Sequence, residues 1–331
     1  MIELKENMMK YSLMVLLTIM VLVSSAFPET GDGGYAGAFL RMGMGARPKA
    51  LGDSYTAIPE GALAGFYNPA LLPHLKSRRF TASHAFLTLD RTLDYIGYAQ
   101  ALQPPDINGK KNPLKAGFSL AWVHAGVDNI YGTDGSGNHT QDYSNAEHAF
   151  YLSFAVSPNK AFSIGVSGKV LYSRMPGLEK DNGALTSTGF GMDFGAYFSP
   201  IQNLTFGLVL RDNMSKYTWN TDTVYERGTS TVNDFPKVKR AAVAYRIPQD
   251  WLLVTAEVED SDLQNPRYHF GTELSWPDLG ALRFGLDDSS PTFGLGLQFN
   301  VLNHLTYIDY AFAPNDYQIG TDHIFTWSLD F

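Results

Sequence analysis

Eight histidines are the residues of this chain best suited to chemistry, at positions 74, 84, 124, 139, 148, 269, 304 and 323. No two stand four apart on a helical face, and none has a carboxylate at metal-ligand spacing, so neither a metal site nor a cofactor is expected. The chain contains no Cys. That removes disulfides, thiolate ligands, a cysteine nucleophile and a lipid-modified cysteine anchor together. Gly43-Met44-Gly45 and Gly294-Leu295-Gly296 are G-x-G fragments, but neither opens a helix after a strand, and a nucleotide loop needs that context. There is no G-x-S-x-G elbow and no credible triad. The sequence therefore offers no catalytic residue, and the chain is not expected to be an enzyme.

A second set of chemical side chains is more regular. Lys169, Asp193, Arg211, Arg240, Glu257, Glu273, Arg283, Asp287 and Asp309 sit mostly within stretches where every second residue is large and apolar. In Phe293, Leu295, Leu297, Phe299 and Val301 the residues between are Gly294, Gly296, Gln298 and Asn300. Phe190, Met192 and Phe194 enclose Gly191 and Asp193; Leu204, Phe206, Leu208 and Leu210 lead to Arg211; Leu282, Phe284 and Leu286 flank Arg283 and Gly285. Successive strand side chains point to opposite faces. Each stretch thus has one bulky apolar face and one face of Gly, Ser, Thr, Ala and isolated charges.

About fourteen such stretches follow one another, beginning near residues 79, 92, 114, 147, 161, 187, 203, 237, 250, 266, 280, 291, 303 and 320. Short turns, such as Leu302-Asn303, alternate with longer polar loops at 127–145, 174–187 and 215–234; the connection 103–113 is longer than this alternation predicts. The first residues read as an export signal: Lys5 and Lys10, then the apolar Met14–Val23, then small residues to Ala26. Among 331 residues the net charge is −8, which argues against nucleic acid as a partner. An export signal, an even strand count and unequal connections together describe an all-β fold, a transmembrane antiparallel barrel of about fourteen strands in the cell outer membrane of a Gram-negative-type bacterium. A soluble sandwich would also alternate, but its polar face should be rich in Lys and Glu. The expected organisation is a signal peptide over 1–26, a plug or hatch segment over 27–78, and the barrel over 79–331.

The plug segment breaks the two-residue rhythm and is rich in Gly, Ala and Pro. Short helices are expected at 59–65 and 69–75, with Asn68 as N-cap and Pro69 at the first position. It would fill the lumen or extend from it. Its stretch "GMGARPKALGDSYTAIPEGALAGFYNPALLP" resembles the N-terminal signature of the PorV/PorQ family of outer-membrane proteins, through Gly45, Ala46 and Arg47, then Ala50–Ala57 with Gly52, then Asn68, Pro69 and Ala70. That family resembles, more distantly, the FadL long-chain fatty-acid transporters, which have fourteen strands and a hatch with an Asn-Pro-Ala motif. Pro48 and Lys49 depart from the pattern, standing where small residues are usual, as does Asp53 where Gly or Ala is common.

Two functions follow from the resemblance. One is a component of a type IX secretion apparatus that receives exported cargo through its C-terminal domain; the outer loops would bind cargo and secretion-system proteins. The other is uptake of a hydrophobic ligand past the plug, with Asn68 near the gate. The charged lumen residues either pair with neighbouring strands and the plug or line a polar path. Outer-membrane lipid is expected against the apolar faces. The final alternation, Phe325, Trp327, Leu329 and Phe331, would face that lipid, pair with the strand near Phe80, and resembles the C-terminal signal read by the barrel-assembly machinery.

Overall fold

A computed structural model describes residues 34–105, 112–176, 184–222, 227–276, 278–314 and 320–331. The expected signal peptide, residues 27–33, and parts of the loops at 103–113, 174–187 and 215–234 lie outside them. Fourteen strands close into one antiparallel barrel. They are β1 (Arg79–Leu87), β2 (Arg91–Leu102), β3 (Lys115–Thr133), β4 (His139–Asn159), β5 (Phe162–Pro176), β6 (Ala184–Ile201), β7 (Leu204–Asn213), β10 (Val238–Arg246), β11 (Leu252–Ser261), β12 (Arg267–Trp276), β13 (Gly280–Asp287), β14 (Ser290–Val301), β15 (His304–Pro314) and β16 (Thr321–Asp330). Between β7 and β10, β8 (Lys216–Asn220) and β9 (Ser230–Asp234) form a separate hairpin. The seam joins β16 to β1, with Phe80 opposite Leu329 and Phe86 opposite His323. Closure leaves no free sheet edge.

The two-residue period becomes two chemical surfaces. On the outward face Leu152 is 61% exposed and Leu208 58%, and Phe150, Phe154, Phe190, Phe284, Leu295 and Trp327 are exposed around them. An apolar surface so extensive is foreign to a protein surrounded by water and is what lipid-facing strands carry. The inward positions are mostly Gly, Ser, Thr, Ala and paired charges, with Tyr95, Val123, Tyr151 and Leu171 among them; Lys169 is 0% exposed. Among the described residues no helix is long and apolar enough to cross a membrane, which bears only on helices.

Tight turns use the left-handed region that short polar residues tolerate. Leu302 and Asn303 (φ 51° and 67°) join β14 to β15, and Asn203 (φ 75°) turns β6 into β7. We call the end holding these turns, the start of β1 and the end of β16 the terminal end, and the other the hairpin end. The expected alternation of connection lengths is imperfect. At the hairpin end β1–β2 and β13–β14 are joined by only residues 88–90 and 288–289.

Two expected loops are largely strand. Over 127–145, β3 and β4 continue with polar residues, and Asp134 closes the turn by accepting from the backbone N–H groups of Ser136 (2.8 Å) and Asn138 (2.9 Å). Over 215–234, the β8–β9 hairpin buries Tyr217 and Trp219, with Tyr217 packed between Trp219 and Phe235. Apolar alternation marks strands that face lipid, so strands rising beyond it escape that signal.

Residues 34–78 run through the inside of the barrel. They contain α1 (Ala46–Ala50), α2 (Ala64–Tyr67) and 3₁₀ turns at Ala38–Leu40 and Pro69–His74. α1 was not anticipated. The helix expected over 59–65 starts only at Ala64, because Gly61 takes φ 75°, outside the helical region. The helix expected over 69–75 is 3₁₀, since Pro73 removes an α-type donor. The segment touches strands on opposite sides of the wall. Ala46 N–H donates to Thr326 Oγ1 on β16 (2.8 Å), while Thr205 Oγ1 on β7 donates to Ala57 O (2.8 Å). Phe39, Leu40, Met44, Phe66 and Tyr67 share one apolar core with Tyr95, Tyr151, Leu171 and Tyr217.

Candidate functional site

The interior is built around charges that come mostly from the wall, with Arg47, Lys49, Asp53 and Glu60 supplied by the segment within it. Arg47, on α1, makes a bidentate pair with Glu273 on β12 (Nε–Oε2 2.7 Å, Nη2–Oε1 2.8 Å). Its Nη1 also reaches Glu60 (2.5 Å). Glu60 binds Arg246 at the end of β10 (2.8 Å), and Glu273 binds Arg283 on β13 (2.7 Å), which continues to Asp309 on β15 (2.7 Å). Three cations and three carboxylates thus close a neutral network. Burial would raise the Glu60 carboxyl, but Arg47 and Arg246 outweigh it and hold it at about 2. The same carboxylates overcome burial at Arg47 and raise its guanidinium well above the usual value.

A second cluster surrounds Arg240 on β10. It pairs with Asp53 of the inner segment (3.2 Å), with Glu257 (3.2 Å) and with Glu259 on β11. Glu257 accepts the N–H groups of Tyr55 (3.1 Å) and Thr56 (3.0 Å) and the Thr56 hydroxyl (2.8 Å). Asp53 accepts the Tyr67 hydroxyl proton (2.5 Å). Lys49 reaches Asp287 on β13 (2.8 Å), which also meets His269. Lys169 on β5 bridges Asp193 and Asp212, each at 2.7 Å, without the inner segment. Arg211 donates to Leu40 O (3.3 Å) and lies over the Phe66 ring (4.5 Å).

Backbone contacts lock the segment between these clusters. Asn68 caps the 3₁₀ turn by accepting from Ala70 N–H (3.0 Å), while its Nδ2 donates to Thr56 O (2.9 Å) and to Ala196 O on β6 (3.1 Å). Pro69 follows as the first residue of that turn, and Ser163 donates to Ala70 O (2.6 Å). Gly52 (φ 64°) lies so close to the wall that a Cβ there would meet Phe270 O at 2.6 Å. Gly45 (φ 81°) precedes α1.

Of the inner-segment residues, Arg47 meets Glu273 and through it Arg283; Gly52 lies against the backbone of β12 and β13, Asn68 reaches β6 and Ala70 reaches β5, Gly45 and Pro69 begin the turns that carry them, and Glu257 lies in the adjoining cluster. Phe325, Trp327, Leu329 and Phe331 belong to the outer wall instead. Phe331 lies one residue past β16, contrary to a strand regular to its last residue, although its N–H still donates to Arg78 O (2.9 Å). Sequence reasoning missed Glu60, Asp212, Arg246 and Glu259 as partners. It noticed Lys49 and Asp53 only as departures from a family pattern, together with Pro48; of the three, Lys49 answers Asp287 and Asp53 answers Arg240.

The clusters leave two spaces. At the hairpin end a slot of about 20 Å³ lies among Met42, Met44, Leu87, Leu93 and Ile324. At the terminal end a cavity of about 500 Å³ is lined by Arg79, Arg246, Glu273, Arg283, Tyr307 and Asp330, among others. Among the described residues, no group of three or more His, Asp or Glu is arranged to hold a metal ion.

The chain matches no protein-family model and no curated protein. Its fold is similar to solved outer-membrane structures. The Ralstonia pickettii toluene transporter TbuX superposes with a TM-score of 0.56 at 12% identity, over 87% of this chain and 98% of that one. The Pseudomonas putida toluene transporter TodX gives 0.55 at 12% identity, over 87% and 96%. A Pseudomonas aeruginosa FadL homologue gives 0.50 at 14% identity, over 84% and 95%. At these identities the likeness establishes the fold, a FadL-like fourteen-strand barrel.

Proposed function

We propose that this chain is an outer-membrane barrel that admits small hydrophobic molecules, with residues 34–78 as the plug that gates their passage. The terminal end would then face the periplasm and the hairpin end the exterior, with lipid against the outward apolar face. The observation carrying this reading is the apolar core that plug and wall share inside the lumen. Towards the hairpin end the plug and wall meet through Met42, Met44, Phe39, Leu40, Leu87 and Leu93, beside the Lys49–Asp287 pair. Towards the terminal end they meet through the Arg47–Glu273 and Arg246–Glu60 pairs, beside a cavity whose lining also includes Leu75, Trp276 and Leu297. An apolar solute gains by leaving water for these apolar contacts, and the charge pairs hold the plug across its path. The charges are matched with one another rather than arranged as a ring of one sign, so selection of an ion is disfavoured.

The similar structures favour the same class of cargo, since they are named as toluene and monoaromatic hydrocarbon channels. The secretion-component reading draws on the N-terminal resemblance alone, and the fold supports the conduit better. The test is uptake of a radiolabelled monoaromatic hydrocarbon and of a long-chain fatty acid by cells with and without the chain. Faster uptake of either supports the proposal. Equal uptake of both, with the barrel present in the outer membrane, overturns it.

A further inference from the structure

Both spaces in the lumen touch the same two strands. At the hairpin end the slot is bounded by Ala85 of β1 and Ile324 of β16, which lie opposite one another at the barrel seam. At the terminal end the cavity is bounded by Arg79 and Asp330, opposite one another on the same strands. On β1 the two are 85 − 79 = 6 residues apart, which is roughly 20 Å along an extended strand. The inward rungs between them pair Ser83 with Thr326 and Thr81 with Ser328. Their hydroxyls bond one another at 2.8 and 2.9 Å. Along this line the wall therefore presents neutral groups that already satisfy one another.

The plug is held unevenly around the wall. Its ion pairs end on β10, β12 and β13, through Asp53–Arg240, Glu60–Arg246, Arg47–Glu273 and Lys49–Asp287. Facing β16, residues 42–46 are joined to the wall by Ala46 N–H donating to Thr326 Oγ1 (2.8 Å). A neutral hydrogen bond is about half as strong as the charge-assisted pairs on the other side, so plug and wall part more readily here. Tyr95 on β2 bounds this region by donating to Ala62 O (3.0 Å). The slot, at about 20 Å³, has room for little more than one water, and Met42 and Met44 line it on the plug side. Lys49 and Asp322 line it too, the lysine paired with Asp287. Met is unbranched and turns about three bonds, so these two chains can repack around an entering solute while the backbone stays in place. The cavity beyond, at about 500 Å³, has the size of a small-molecule chamber.

We propose that the solute passes along the barrel seam, between residues 42–46 of the plug and the inner faces of β16 and β1. Met42 and Met44 form the constriction that selects by size, and the terminal cavity is the chamber through which the solute leaves. The route rests on the conduit reading above and adds to it the side of the plug on which passage occurs.

The chain has no Cys, so single cysteines can be placed on either side of the plug and modified in the folded barrel. Ala85→Cys and Ser328→Cys lie on the seam; Val209→Cys, at a buried inward position of β7, lies across the lumen. The reagent is benzyl methanethiosulfonate, and the readout is uptake of radiolabelled toluene by cells carrying the full chain. Modification of either seam cysteine should stop uptake, reduction should restore it, and excess toluene should slow the modification itself. Val209→Cys should take up toluene equally before and after treatment. Met42→Ala with Met44→Ala should raise uptake of naphthalene relative to toluene by roughly tenfold, the lower end of what the fit of an apolar pocket discriminates. Heat-dependent gel mobility confirms a folded barrel before and after each treatment. Toluene uptake that persists while the seam cysteines stay unmodified, or after they are modified, would overturn the route and leave the conduit standing. An unchanged naphthalene-to-toluene ratio would overturn the assignment of the constriction. An absence of uptake by the unaltered barrel would reject the conduit, and the route with it.

Discussion

Arg47 shows how a single side chain ties the inner segment to the wall. Its guanidinium serves Glu273 and Glu60 together, and side-chain entropy is recovered by the bidentate geometry. Replacing it with Met keeps the volume but leaves Glu60, Glu273 and Asp309 to share Arg246 and Arg283, one buried negative charge uncompensated. Breaking a buried pair in this way costs about 3–5 kcal/mol. Arg47→Met should therefore lower the thermal unfolding midpoint in detergent, and adding Glu273→Gln should recover part of the loss. An unchanged midpoint would mean that water reaches both carboxylates. Asn68→Leu is the matching test of the backbone lock. It deprives Ala70 N–H, Thr56 O and Ala196 O of partners, at about 1–3 kcal/mol for each group left buried and unbonded. Arg47 and Asn68 were legible in the sequence as motif positions. Their partners Glu60 and Ala196 were not, because nothing local marks which distant group closes a network.

At the scale of elements, the plug and the β8–β9 hairpin are held by different chemistry, and so respond to different perturbations. The plug responds to acid. Burial, with a smaller push from Lys115, lowers His74 to about 4 from 6.5, so this histidine is held neutral against Ser163. The unfolded chain then binds more protons between those values, and stability falls as pH drops from about 6.5 to 4. Glu60, held at about 2 rather than 4.5, contributes stability that is complete above 4.5 and lost as pH falls towards 2. Protease protection of residues 39–75 should decline in both intervals, and Glu60→Gln should remove its part of the lower one. The hairpin depends on apolar burial instead: Tyr217 packs between Trp219 and Phe235, and the Tyr217 hydroxyl donates to Glu147 (3.0 Å). Trp219→Ser should expose Tyr217 to iodination while leaving the plug protected. The alternation of Tyr217 and Trp219 could have announced β8, but a five-residue strand inside a polar loop gives too few repeats to separate from chance.

For the whole molecule, the wall was legible because lipid imposes one rule on every strand, and the arrangement inside it was not, because each interior contact has its own reason. That difference bears on whether the plug can move. If it shifts into water, Asp53, Lys49 and Arg47 are hydrated together with Arg240, Asp287 and Glu273, so neither side is left as an orphaned buried charge. Net values for such pairs are small compared with the cost of removing one partner. The apolar contacts of Phe39, Leu40 and Met44 then supply most of the resistance. A tether can decide the matter, and the absence of Cys makes the experiment clean. Ala46 and Thr326 are joined across plug and wall by a 2.8 Å hydrogen bond. Ala46→Cys with Thr326→Cys should form a disulfide that stops hydrocarbon uptake, and reduction should restore it. The single substitutions control for loss of the Thr326 hydroxyl. Uptake that continues with the disulfide intact would show that the solute passes a stationary plug, and the gate would then have to be sought in the wall or in the β8–β9 hairpin.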